Sequence, residues 1–151
     1  METVQLRGLR LVPPTEAWLQ VATIASHEEL VQIGEGLVRY NKPLTNLVAI
    51  KQFLIRRGSD LPVKRALAAW ADMRAGTESI RETEMRRWIV NSGLPEPTVN
   101  LTLVSDQGEF LARLDGLIEA LMTGVEYDGY PHDSSTARVK DNERRRRLGG
   151  W

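Results

Sequence analysis

The sequence predicts a mixed α/β chain, with a helical first half followed by a second half that runs helix, three strands, helix. Three observations carry this expectation. Up to about Gly76 the apolar residues recur at three- and four-residue spacing behind capping residues, which is the period of a helix. From Thr98 onwards the period changes, and two strand-like runs flank the turn Ser105-Asp106-Gln107-Gly108. Between these regions Ser79 and Glu82 form an S-x-x-E helix start, and Gly93 and Pro95 supply the stop.

Taken in order, Thr15 is the expected cap of a short helix carrying Trp18, Leu19 and Val21. Ser26 and Glu29 form a capping box for the next helix, whose apolar residues are Leu30, Ile33, Leu37 and Val38. Pro43 interrupts the chain, and Thr45 or Asn46 caps a third helix through Phe53 and Leu54, with Gly58 suited to a left-handed exit. Pro62 falls in the first turn of a fourth helix, which bears Leu67, Ala68, Trp70 and Met73. A fifth helix, opened by Ser79, carries Ile80, Met85, Trp88 and Ile89. The strands are expected at Thr98 to Val104, Glu109 to Asp115 and about Met122 to Asp128. Gly129 and Pro131 break the last strand, and Ser134 or Ser135 caps a final basic helix. The domain boundary is expected between residues 76 and 77.

With 151 residues and 42% hydrophobic side chains the chain can bury a core as one domain or two small ones. Twenty basic residues balance twenty acidic ones, so global charge points neither to nucleic acid nor to an anionic membrane. The distribution is uneven, however, with six basic against two acidic residues between Ser135 and Trp151. The lack of cysteine excludes disulfides, thiolate zinc sites and cysteine nucleophiles, and only His27 and His132 supply imidazole. No signal-peptide pattern opens the chain, and no apolar run approaches the roughly 20 residues of a membrane span. A cytoplasmic protein with no membrane partner is the expectation.

The chemistry concentrates at Val125-Glu126-Tyr127-Asp128-Gly129. In a strand Glu126 and Asp128 project from one side while Val125 and Tyr127 pack on the other. Asp115 joins them at the end of an adjacent strand, and Glu82 opens the preceding helix. Carboxylates crowded in this way repel unless a positive group sits among them, and a divalent ion such as magnesium takes oxygen ligands of this kind. The plainer reading makes Glu82 part of its capping box and Asp115 and Asp128 turn residues. Arg138, Lys140 and the run Arg144 to Arg147 could contact phosphates or form a solvated helix face. Tyr127 and Tyr130 could stack on bases, although packing is the simpler role. His132 is an accessory candidate for orienting a ligand or acting as an acid, and His27 beside Glu28 reads as a surface helix residue.

Several of these residues also belong to an ordered series. Ser79-Ile80-Arg81-Glu82-Thr83 with Arg86, Gly93-Leu94-Pro95-Glu96-Pro97, Asn100, Gly108, Arg113-Leu114-Asp115, Val125-Glu126-Tyr127-Asp128-Gly129 with His132, and Gly150-Trp151 together cover about residues 77 to 151. The series resembles an uncharacterised bacterial family related to the very-short-patch-repair endonucleases of the PD-(D/E)XK nuclease superfamily. The first half, with Arg7-Gly8-Leu9-Arg10 and Pro13 before Trp18, resembles the middle of actinobacterial proteins in which such a domain follows an abortive-infection antitoxin-like domain.

The resemblance implies a restriction-endonuclease-like α-β-β-β-α core that lacks the last strand of its relatives, which continue beyond the Gly-Trp pair. It implies a metal-dependent DNA endonuclease that hydrolyses phosphodiester bonds with Mg2+ or Mn2+. Glu82, Asp115, Glu126 and Asp128 would then be the catalytic set, Asp115 and Glu126 the metal ligands, and Arg138, Lys140, Arg144 and Arg145 the DNA contacts. Asp128 stands where the superfamily pattern has lysine, which removes a cation expected to help activate water. Two alternatives stand beside the enzyme. One is a non-catalytic module binding nucleic acid or a partner in a toxin-antitoxin or phage-defence system, and the other is a truncated, inactive remnant.

Overall fold

A computed structural model describes residues 3–126 of the chain. Within that range the protein is mixed α/β, with five α-helices, a two-stranded and a three-stranded antiparallel sheet. The chain divides into two units, Met1–Arg87 and Trp88–Trp151. The expected final helix, together with Asp128, Tyr130 and His132, lies outside the described residues.

The first unit opens with a hairpin that helical periodicity alone does not anticipate. Strands β1 (Val4–Leu6) and β2 (Leu9–Leu11) pair through Val4↔Leu11, Gln5↔Arg10 and Leu6↔Leu9. Arg7 and Gly8 both have positive φ, 50° and 82°, as a two-residue hairpin turn matched to strand twist requires. The register places Val4, Leu6, Leu9 and Leu11 together on one exposed face, with Gln5 and Arg10 on the other.

Helix α1 (Pro14–Val21) begins two residues earlier than expected and without a side-chain cap. Pro13 holds the N-cap position and Pro14 enters the first turn, where its fixed φ and missing N–H cost nothing, so Thr15 lies inside the helix. Helix α2 (His27–Leu37) has the expected capping box, with Glu29 N–H donating to Ser26 and Ser26 N–H donating to the Glu29 carboxylate. Asn46 caps α3 (Leu47–Arg57), accepting from Ala49 N–H at 2.9 Å. Gly58 follows with φ 100° and ψ −143°, a positive-φ conformation outside the left-handed helical region and open essentially to glycine alone. Asp60 caps α4 (Leu61–Asp72), with Pro62 in its first turn as expected.

These four helices enclose a core containing Trp18, Leu30, Val31, Ile50, Leu54, Val63, Ala66 and Met73. Trp18 satisfies its indole N–H on the Leu30 carbonyl at 2.9 Å. The buried face of α2 is made by Leu30, Val31, Gly34, Glu35 and Leu37, whereas Ile33 is 42% exposed. At Gly34 the helix backbone approaches Met73 and Trp18 so closely that an added Cβ would stand 2.5 Å from the Met73 sulfur.

Helix α5 (Ile80–Asn91) contains the division between the units, which falls after Arg87. Its N-terminal side chains bind within the first unit. Arg86 donates to Glu35 at 2.5 Å, Thr83 donates to the other Glu35 oxygen at 2.5 Å, and Arg74 N–H donates to Glu35 at 2.7 Å. Arg86 also reaches the Asp72 carbonyl at 2.8 Å. Arg87 forks onto Glu28 at 2.9 and 3.0 Å and lies 3.1 Å from Asp72. Hydrogen bonding to Glu28, aided by the Asp72 charge, raises the Arg87 pKa against the opposing pull of burial. His27 completes this surface cluster by meeting Asp72 at 2.8 Å.

In the second unit β3 (Thr98–Val104), β4 (Phe110–Ile118) and β5 (Thr123–Val125) form a sheet in that spatial order. The turn is where the sequence places it, with Ser105 N–H donating to the Glu109 carbonyl and Gly108 at φ 82°. Strand β4 runs three residues past Asp115, so Asp115 is a strand residue and not a turn residue. A short 3-10 turn, Glu119–Leu121, and Met122 at φ 48° then reverse the chain into β5. Among the described residues no helix is long and apolar enough to cross a membrane.

Candidate functional site

Strand β4 sorts its side chains by alternation. Ala112, Leu114 and Ile118 are buried on one face with Gly116 between them, while Arg113 and Asp115 belong to the other. The β4–β5 register pairs Gly116 with Val125, Leu117 with Gly124 and Ile118 with Thr123. The pairing ends at Val125, and Glu126 is the next residue, just past the end of β5.

The neighbouring strand contributes to the same face. Val99↔Gly116 and Leu101↔Leu114 bracket Asn100, placing it across from Asp115 on the β3 side. Asn100 has φ 56°, a left-handed conformation in mid-strand that asparagine tolerates better than most residues. Its side-chain oxygen accepts from Arg113 at 3.3 Å. Arg113 and Asp115 thus share one face of β4, with Asn100 bonded to Arg113; Asp115 is half-buried, and Glu126 is exposed just past β5.

Chemically, Asp115 in β4 and Glu126 just past β5 are carboxylate oxygen donors, and the Asn100 amide adds a neutral oxygen on the β3 side. Magnesium and manganese suit such hard donors, commonly taking one or two carboxylates and filling the remaining positions with water and phosphate oxygens. Asp115 and Glu126 are thus of the donor type that the resemblance implies for its ion. Among the described residues no group of three or more histidine, cysteine, aspartate or glutamate side chains is assembled as a metal cage.

Glu82 is in the first turn of α5 and 8% exposed. One of its oxygens accepts from Glu78 N–H at 2.8 Å and the other from the Ser79 hydroxyl at 3.0 Å, while Glu82 N–H donates to Ser79. Glu82 thus organises the helix start that its spacing implies. Asp128, His132, Arg138, Lys140, Arg144 and Arg145 lie outside the described residues.

Asn100 and Arg113 stand in the motif series without a role assigned from sequence. The available signal was composition, because asparagine is a poor strand former and its place inside the run Thr98 to Val104 marks a local backbone departure. No protein-family model, curated protein or solved structure matches this chain.

Proposed function

We propose that the chain carries a metal-dependent DNA endonuclease domain, with a restriction-endonuclease-like core and Asp115 and Glu126 as metal ligands. The observation that carries this reading is the pairing of β4 with β5, which sets the strand holding Asp115 beside the strand that leads into Glu126. Two carboxylates on these segments would make a site that keeps positions for water and a phosphodiester oxygen. A bound Mg2+ or Mn2+ would polarise the phosphate and favour ionisation of water. Asp115 and Glu126 would supply the donors, Asn100 lies across from Asp115 on the β3 side, and Arg113 donates to the Asn100 amide oxygen. Glu82 orders the first turn of α5. Asp128 would assist in positioning water, and Arg138, Lys140, Arg144 and Arg145 would steer the DNA backbone.

The test is incubation of the full chain with supercoiled plasmid and Mn2+, beside a Glu126→Gln variant and an EDTA control. Nicking or linearisation that vanishes in both controls is expected. A folded wild-type protein that leaves the plasmid intact sinks the catalytic reading. A non-catalytic nucleic-acid- or partner-binding module is the second reading, favoured by the engagement of both Glu82 carboxylate oxygens in capping α5.

A further inference from the structure

The first unit contains a second polar site, formed by residues that the nuclease reading does not use. A cavity of about 420 Å³ is lined by Arg39, Tyr40, Asn41, Lys42 and Glu78. That volume lies within the range of about 300–1,000 Å³ typical of small-molecule sites.

Four of the five lining residues are consecutive, and their loop is pinned at both ends. Leu44 and Thr45 N–H both donate to the Leu37 carbonyl, at 2.8 and 3.2 Å, which closes the loop on itself. Tyr40 N–H donates to the Thr77 carbonyl and Gly76 N–H to the Val38 carbonyl, tying the loop's first arm to the segment that leads to Glu78. Lys42 has φ 54°, left-handed for a residue with a long side chain and standing immediately before Pro43. Strain of this kind persists only where surrounding structure holds it, and it is concentrated at ligand-binding positions.

The chemistry of the lining is specific. Among the described residues neither the Arg39 guanidinium nor the Lys42 ammonium forms an ion pair, so two cations face one cavity with their charge uncommitted. With the Glu78 carboxylate counted, the lining holds two cations and one anion and is net positive. Tyr40 is 70% exposed, an aromatic face presented to solvent beside the cations. Asn41 adds an amide that can both donate and accept. Fixed cations recognise phosphate, a tyrosine ring stacks on a planar base, and an amide matches the polar edge of that base.

We propose that this cavity binds a nucleotide unit, with the phosphate on Arg39 and Lys42 and the base against Tyr40, independently of divalent metal. The same chemistry could come from a free mononucleotide or from a nucleotide within a single strand. Binding of inorganic phosphate, AMP and a short single-stranded oligonucleotide to the full chain would be measured by calorimetry in EDTA. The variants are Arg39→Gln with Lys42→Gln, Tyr40→Leu and Tyr40→Phe, and circular dichroism and thermal melting check that these exposed-loop changes leave the fold intact.

The expected result is saturable binding of AMP or the oligonucleotide that weakens about tenfold or more in the double variant and in Tyr40→Leu, and is retained in Tyr40→Phe. Equal affinity for AMP and oligonucleotide assigns the site to free nucleotides, and binding of the oligonucleotide alone assigns it to a strand. Absence of saturable binding up to about 10 mM overturns the proposal. So does binding that all the variants retain, or binding of phosphate and nucleotide with equal strength. Because the assay contains EDTA and spares Asp115 and Glu126, its failure and the failure of the nuclease reading are separate results.

Discussion

Glu35 and Arg86 are separated by 51 residues in sequence and meet at 2.5 Å in the fold, each side chain only 1% exposed. The pair fixes the start of α5 to α2 within the first unit, and Thr83 and the Arg74 amide complete the carboxylate's hydrogen bonds. Removing one member of a buried pair leaves the other charge stranded, which costs about 3–5 kcal/mol, whereas replacing both with apolar residues of similar volume is often neutral. Glu35→Ala is therefore expected to lower unfolding free energy by an amount in that range in urea titrations. Glu35→Leu combined with Arg86→Met should recover most of the loss. A single-variant cost below about 1 kcal/mol, the level of a surface pair, would contradict this account.

Gly34 and Gly36 lie two residues apart in α2 and should respond oppositely to alanine. At Gly36 an added methyl meets nothing within 4 Å, so Gly36→Ala gains helix propensity of about 0.5–1 kcal/mol. At Gly34 the same methyl would stand 2.5 Å from the Met73 sulfur and 3.2 Å from Trp18, and Met73 is only 2% exposed. Overpacking there should outweigh the propensity gain and cost about 1–3 kcal/mol. Urea midpoints of the two variants, moving to opposite sides of wild type, are the expected observation.

The contrast between these helices and the buried ion pair marks how far the sequence could be read. Capping is local chemistry, so the Ser26–Glu29 box, the Asn46 cap and strand Thr98–Val104 were legible from neighbouring residues alone. The β1–β2 hairpin was not, because three-residue strands give too short an alternation to stand out beside a helical pattern. Glu35 was hidden for a different reason. A carboxylate in an amphipathic helix reads as solvent-facing, and only the tertiary fold supplies the arginine that allows its burial. The acidic pair is intermediate. Spacing places Asp115 and Glu126 near the ends of neighbouring strands, but the pairing of those strands is set by the 3-10 turn between them, which spacing does not show, and β5 ends at Val125, before Glu126.

The Ser26–Glu29 box carries a pH dependence of definite sign. Hydrogen bonds from the Ser26 backbone and then its hydroxyl hold the Glu29 carboxyl below its ordinary value of 4.5. A depressed carboxyl pKa stabilises the fold above the unfolded-state value, and the contribution disappears as pH falls through the folded value. Wild type should therefore exceed Glu29→Gln in thermal midpoint near neutral pH, and the gap should close on acidification from about 4.5 downward. A gap that persists unchanged at pH 3 would show that the charge of Glu29 contributes nothing.

Ion binding by Asp115 and Glu126 predicts a stability that depends on Mn2+. In EDTA Glu126→Gln should melt close to the wild-type midpoint, because Glu126 is exposed. Addition of Mn2+ should separate the two, because an ion that binds only the folded protein stabilises it by about 2.7 kcal/mol at a hundred times its dissociation constant. The wild-type midpoint is expected to climb with Mn2+ concentration while that of Glu126→Gln stays nearly level. Asp115→Asn should behave like Glu126→Gln, since the two carboxylates would act on one ion. An equal rise in all three proteins would place the ion elsewhere on the chain. A wild-type midpoint unaffected by Mn2+ would remove Asp115 and Glu126 as ion ligands, and with them the support for the nuclease reading.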